Sequence, residues 1–80
     1  MSFENIAKDV ARIATAVSGK SIPSYRDDLF QLGIDSLTML DLLAALEEHF
    51  DVHLNENITG EFRSVERIVR IIRDIATTAP

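Results

Sequence analysis

The sequence contains no cysteine, so neither a disulfide nor a thiolate-bound zinc can brace the fold. With 80 residues the core is small, and packing alone must hold it. No apolar run is long enough to span a membrane, and residues 1–20 lack the basic start and hydrophobic stretch of a signal peptide. The cytoplasm is therefore the expected compartment. Internal repeats, low-complexity tracts and linkers are also missing, and the length suits one domain over residues 1–80 rather than an enzyme cleft between two lobes. Basic side chains are in the minority, 8 against 13 acidic ones, for a net charge of -5. That balance repels phosphate backbones and argues against a nucleic-acid partner, whereas basic protein surfaces suit it.

The apolar residues that are present recur at helical spacing. Phe3, Ile6, Ala7, Val10, Ile13, Ala14 and Val17 predict a helix over 3–17, with Ser2 as its N-cap and Gly19 just past its end. The connection from Ser18 to Asp35 is long, and its Ile22, Tyr25, Leu29, Leu32 and Ile34 predict that it packs on the core. A second helix is expected from Asp35 or Ser36 to about Phe50. Met39, Leu42, Leu43, Leu46 and Phe50 form its inner stripe, and Leu37, Asp41, Ala44 and Glu48 face outward. Leu40 falls near the boundary on that outer flank.

Val52 and Leu54 read as loop anchors, and Ile58 and Phe62 flank Gly60 in a short helical turn. Ser64 caps a last helix over about 65–76, with Val65, Ile68, Val69, Ile72 and Ile75 inside and arginines toward water, and residues 77–80 should fray. The expectation is an all-α fold, a small bundle of three longer helices and one short one.

The informative stretch is Leu32-Gly33-Ile34-Asp35-Ser36-Leu37, which puts a hydroxyl at the mouth of a helix just after a glycine. Taken alone, Asp35 and Ser36 need be no more than helix caps. A serine nucleophile would need a base, yet the only histidines are His49 and His53, more than three helical turns away, and no Gly-x-Ser-x-Gly elbow is present. Catalysis by this chain is not expected. His49, Asp51 and His53 straddle the end of the second helix, so they read as solvated helix-end residues rather than as a metal site.

The Leu-Gly-Ile-Asp-Ser-Leu of 32–37, the Leu-rich acidic helix ending Leu46-Glu47-Glu48-His49-Phe50 and the Phe-Arg-Ser-Val of 62–65 together resemble the acyl, peptidyl and aminoacyl carrier protein family over nearly the whole chain. The resemblance implies a four-helix, acyl-carrier-protein-like bundle and a phosphopantetheine from coenzyme A, attached to Ser36 by a partner phosphopantetheinyl transferase. The thiol of that arm would carry an acyl or aminoacyl thioester between enzymes of fatty acid, polyketide, nonribosomal peptide or related biosynthesis. It further implies that Asp35 supports the helix entrance and that Leu37, Leu40, Asp41, Ala44 and Glu48 dock the transferase, the loading enzyme and downstream synthases.

Thr38 stands where the family often has an acid and Met39 where it often has a smaller residue, which bears on partner choice. A monomer is expected, because a face visited by several enzymes must stay free. The rival reading is an unmodified helical adaptor that uses the same face of the second helix.

Overall fold

The computed structural model describes residues 2–78, with side chains through Ile75. Helix α1 spans Phe3–Ser18, α2 spans Ser36–Phe50, a 3-10 helix spans Glu56–Glu61 and α3 spans Val65–Thr78. This is the predicted all-α arrangement of three longer helices and one short one, and no strand occurs among the described residues.

Local chemistry sets the ends of these elements. The Ser2 hydroxyl accepts from the Asn5 amide at 3.3 Å, satisfying one of the free donors of α1. Gly19 ends that helix in the left-handed region at φ 70°, and its N–H donates to the Thr15 carbonyl at 2.8 Å. At the start of α3 the Ser64 hydroxyl accepts from the Arg67 amide at 3.1 Å.

Helix α1 packs against both α2 and α3, and α2 also packs against the 3-10 helix. The core forms where these faces meet, from Ile6, Val10 and Ala14 of α1, Met39, Leu42 and Leu46 of α2, and Val65, Ile68 and Ile72 of α3. Phe62, between the 3-10 helix and α3, is fully buried in it. Leu54 closes the loop after α2, as its apolar character predicts, with Val52 half-buried beside it.

The long connection after α1 behaves as part of the core. Leu29 and Ile34 are buried, while Ile22, Tyr25 and Leu32 pack partly against it. Two backbone bonds fasten it to the start of α3: the Leu29 N–H donates to the Arg63 carbonyl at 2.7 Å, and the Glu66 N–H to the Tyr25 carbonyl at 3.0 Å. The Arg63 guanidinium donates to Asp28 at 2.9 Å and lies 5.9 Å from the centre of the Phe30 ring, within cation–π range.

Phe50 lies on the inner stripe as expected, half-buried and packed against the core at the last position of α2. The chain turns there at Asp51, φ 54°, and the Phe50 ring meets His49 edge-on at 4.7 Å. One expectation needs correction: helix α3 continues through Thr78 instead of ending near 76. Its buried stripe of Ile68, Val69 and Ile72 holds the body of the helix by packing. Of the residues expected to fray, Ala79 and Pro80 lie outside the described residues.

Candidate functional site

The approach to α2 is a tight turn built on Asp28. Its carboxylate accepts from the Phe30 amide at 2.9 Å, and its carbonyl accepts from Leu32 at 3.1 Å. The Gly33 N–H then donates to Phe30 and the Ile34 N–H to Leu29, both at 3.1 Å. Gly33 has φ 98°, a conformation that L side chains rarely adopt. The terminal atoms of Lys20 lie over it, 3.5 Å from where a Cβ would stand. Ile34, buried to 2%, anchors the chain immediately before the helix.

Asp35 is the N-cap of α2: its backbone is extended and its carboxylate accepts from the Thr38 amide at 2.9 Å. The Thr38 amide first, and then the Thr38 hydroxyl, hold the Asp35 carboxyl below the usual aspartate range. Ser36 follows as the first helical residue and is exposed. Among the described residues nothing hydrogen-bonds its hydroxyl, so Asp35 alone does the capping. The structure thus separates two roles that the sequence left shared.

The predicted docking residues all reach solvent. Leu37 is 75% and Leu40 42% exposed, both high for leucine, and Asp41, Ala44 and Glu48 are exposed beside them. They form a mixed apolar and acidic face that begins one residue after Ser36.

On the adjoining flank lies a groove of about 470 Å³ between α2 and the segment entering the 3-10 helix. Leu40, Leu43 and Glu47 form one wall, with Leu54 and Glu56 opposite. Leu40, Leu43 and Glu47 follow one another at helical steps, so the groove runs along the side of α2 and begins about one turn after Ser36. The Glu47 carboxylate accepts from the Leu54 amide at 2.9 Å and lies 3.5 Å from His53 Nδ1. The sequence places Glu47 in the acidic stretch of α2, and its hold on the following loop is seen only in the structure. Its position, between the inner residues Leu43 and Leu46 and the outer face, lets it reach that loop.

Several other polar residues are engaged elsewhere. His49 Nε2 lies 3.2 Å from Asp9, joining α2 to α1, and sits about 20 Å from Ser36 at a helical rise of ~1.5 Å per residue. No group of three or more potential metal ligands occurs among the described residues. Arg67 pairs with Glu61 at 2.7 Å and Arg70 with Glu66 at 3.8 Å, so these arginines have carboxylate partners within the fold. Among the described residues no helix is long and apolar enough to cross a membrane.

Comparison with known proteins gives this arrangement a family. Residues 5–72 match the family described as phosphopantetheine attachment site. The chain is 37% identical over 56 residues to an acyl carrier protein of Trieres chinensis, covering 70% of each. It is 30% identical over 73 residues to one of Clostridium acetobutylicum, covering 91% of this chain and 94% of the relative. The fold superposes on the crystal structure of an acyl carrier protein from Thermotoga maritima with a TM-score of 0.79 at 20% identity, over 96% of this chain and 93% of that one.

The chain belongs to the phosphopantetheine-attachment family of carrier proteins. Such proteins are carriers without catalytic activity of their own, and they hold 4′-phosphopantetheine covalently.

Proposed function

We propose that residues 1–80 act as a single carrier domain, that Ser36 is the attachment point of the phosphopantetheine, and that the arm carries an acyl or aminoacyl group between enzymes of a fatty acid, polyketide or related biosynthesis. The observation that carries this reading is the isolation of the Ser36 hydroxyl: it is exposed, unbonded among the described residues, and set at the entrance of α2. The group fits there. A phosphodiester on that oxygen meets the positive end of the helix dipole and unhindered solvent, while Asp35 holds the entrance in place through Thr38.

In the loading reaction the Ser36 oxygen forms the new bond to the phosphorus that bears pantetheine, the pyrophosphate bond of coenzyme A breaks to release adenosine 3′,5′-bisphosphate, and the serine proton passes to the partner transferase. That enzyme also supplies the magnesium. When bound, the arm contributes a thiol that this cysteine-free chain lacks, and its thioester activates the acyl carbonyl. Leu37, Leu40, Asp41, Ala44 and Glu48 provide the surface on which transferase, loading enzyme and synthase dock in turn. Their mixture of apolar and acidic character suits brief contacts with basic partners.

Intact-protein mass after incubation with coenzyme A, magnesium and a broad-specificity phosphopantetheinyl transferase tests the assignment. The native chain should gain one phosphopantetheine and Ser36→Ala none. A gain in Ser36→Ala would move the site, and no gain in the folded native chain would favour an unmodified adaptor.

A further inference from the structure

We propose that Lys20 is the cationic partner of the phosphodiester on Ser36, and so a positioning residue for the first segment of the arm; this rests on the Ser36 reading above.

The placement of Lys20 originates at the end of α1. The Ser18 hydroxyl donates to the Ala14 carbonyl at 2.6 Å and accepts from the Lys20 amide at 3.0 Å. Gly19, in the left-handed region, donates to Thr15 at 2.8 Å. Together these bonds fix the direction in which the chain leaves α1, and the Lys20 stem runs from there across Gly33. Its Cε and Nζ lie 3.5 Å from the position of an added Cβ, in space that the glycine leaves open. From Gly33 to Ser36 the chain covers at most about 10 Å, since an extended residue spans ~3.4 Å. That upper bound on the Gly33–Ser36 separation is slightly longer than the ~8 Å Debye length at physiological salt, and the flexible four-carbon stem of lysine lets the ammonium move within this range.

Charge indicates what the ammonium does there. Arg12, Arg26, Arg63, Arg67 and Arg70 each lie within 4.0 Å of a carboxylate. Lys20 has no such partner among the described residues. The neighbouring acid, Asp35, is committed to Thr38. A phosphodiester on Ser36 therefore places a second negative charge beside Asp35 in a chain that already carries -5. The helix dipole offers about half a unit charge against it, and Lys20 supplies a whole one from the side of Gly33.

The test uses the native chain, Lys20→Gln, Lys20→Arg and Lys8→Gln, all loaded with phosphopantetheine, alongside Ser36→Ala. Intact mass first establishes that each chain but Ser36→Ala gains one arm, which settles the Ser36 reading separately. On the loaded samples, lysine 13Cε shifts and the 31P signal are then recorded at low salt and at about 1 M salt, where the Debye length falls to ~3 Å. Loading should move the Lys20 Cε resonance and leave that of Lys8 in place, and the movement should fade at high salt. The 31P signal should shift in Lys20→Gln, return toward native in Lys20→Arg and stay native in Lys8→Gln. A Lys20 Cε resonance that does not respond to loading, or a native 31P signal in Lys20→Gln, overturns the proposal.

Discussion

The Leu29 amide donates to the Arg63 carbonyl across 2.7 Å, tying the middle of the long connection to the residue just ahead of the Ser64 cap. Leu29 itself is fully buried, so backbone and side chain act on the same anchor. Leu29→Ala should cost about 2–5 kcal/mol through lost burial and the cavity left behind. An 80-residue fold has roughly 4–12 kcal/mol in total at ~0.05–0.15 per residue, so the variant stands close to unfolding. Leu29→Met, which nearly conserves volume, should cost less than about 1.5 kcal/mol. Thermal or urea unfolding of both variants checks this, and equal losses would mean that the loop is not anchored by shape.

Ser36 and Asp35, adjacent in sequence, should respond differently to alanine. Asp35 caps the Thr38 amide, whereas the Ser36 hydroxyl contributes no bond to the fold. Ser36→Ala should change stability by no more than about 0.5 kcal/mol, as expected for an exposed helical site without special contacts. Asp35→Ala should lower the melting midpoint clearly, and Asp35→Asn should restore most of it, since asparagine also caps well. Equal melting curves for the two alanine variants would contradict the division of roles.

The helix caps were legible in the sequence because each depends on a residue type at a fixed local offset, and the packing of the long connection was legible from its apolar Ile22, Tyr25, Leu29, Leu32 and Ile34. Ser2, Gly19, Asp35 and Ser64 all sit where capping chemistry puts them. What could not be read were the contacts between positions far apart. Asp28 to Arg63 crosses 35 positions and His49 to Asp9 crosses 40. Lys20 was also illegible: nothing in the order of residues says that its stem crosses Gly33, which follows from the path the chain takes after α1. At the site, the exposed face of α2 followed from periodicity, while the groove beside it needed the loop after α2 to be placed in space.

Three aspartates connect folding to pH. Hydrogen bonding lowers Asp9 chiefly through His49, Asp28 chiefly through Arg63 and Asp35 chiefly through the Thr38 amide, each below the ordinary value of 3.8. The unfolded chain therefore binds protons at higher pH than the folded one. These contributions are fully present above the ordinary value and are lost as pH falls through the lower folded values. Stability should decline with acidification in that window. Asp28→Asn should flatten the decline, because its carboxylate no longer titrates. An unchanged slope in unfolding measurements from pH 5 down to about pH 2 would contradict this.

Leu37 is the most exposed large apolar side chain of the proposed docking face and lies outside the buried core. Leu37→Glu should leave stability within about 0.5 kcal/mol. With a phosphopantetheinyl transferase the same change should raise KM about tenfold, equivalent to ~1.4 kcal/mol of lost contact, and leave kcat close to native. A fall in kcat at constant KM would instead place Leu37 in alignment of Ser36 rather than in docking.

The packing of the core bears on what cargo the arm can shelter. Phe62, Leu46, Ile68 and Ile72 are all fully buried against one another, and the groove beside α2 has exposed Ala44 and Glu56 on its walls, with Glu47 and His53 along it. An alkyl chain laid there meets water and carboxylates along much of its length. Full burial would be worth about 0.8 kcal/mol per CH₂, so sequestering eight further methylenes would favour the hidden state by roughly 6 kcal/mol and slow attack on the thioester on the order of ten-thousandfold. Butanoyl and dodecanoyl thioesters on the arm should instead be cleaved by hydroxylamine at rates within a few-fold of each other. Strong protection that grows with chain length would show that the core opens to admit the chain, with Phe62 as the residue that has to move; near-equal rates would point to short or polar cargo.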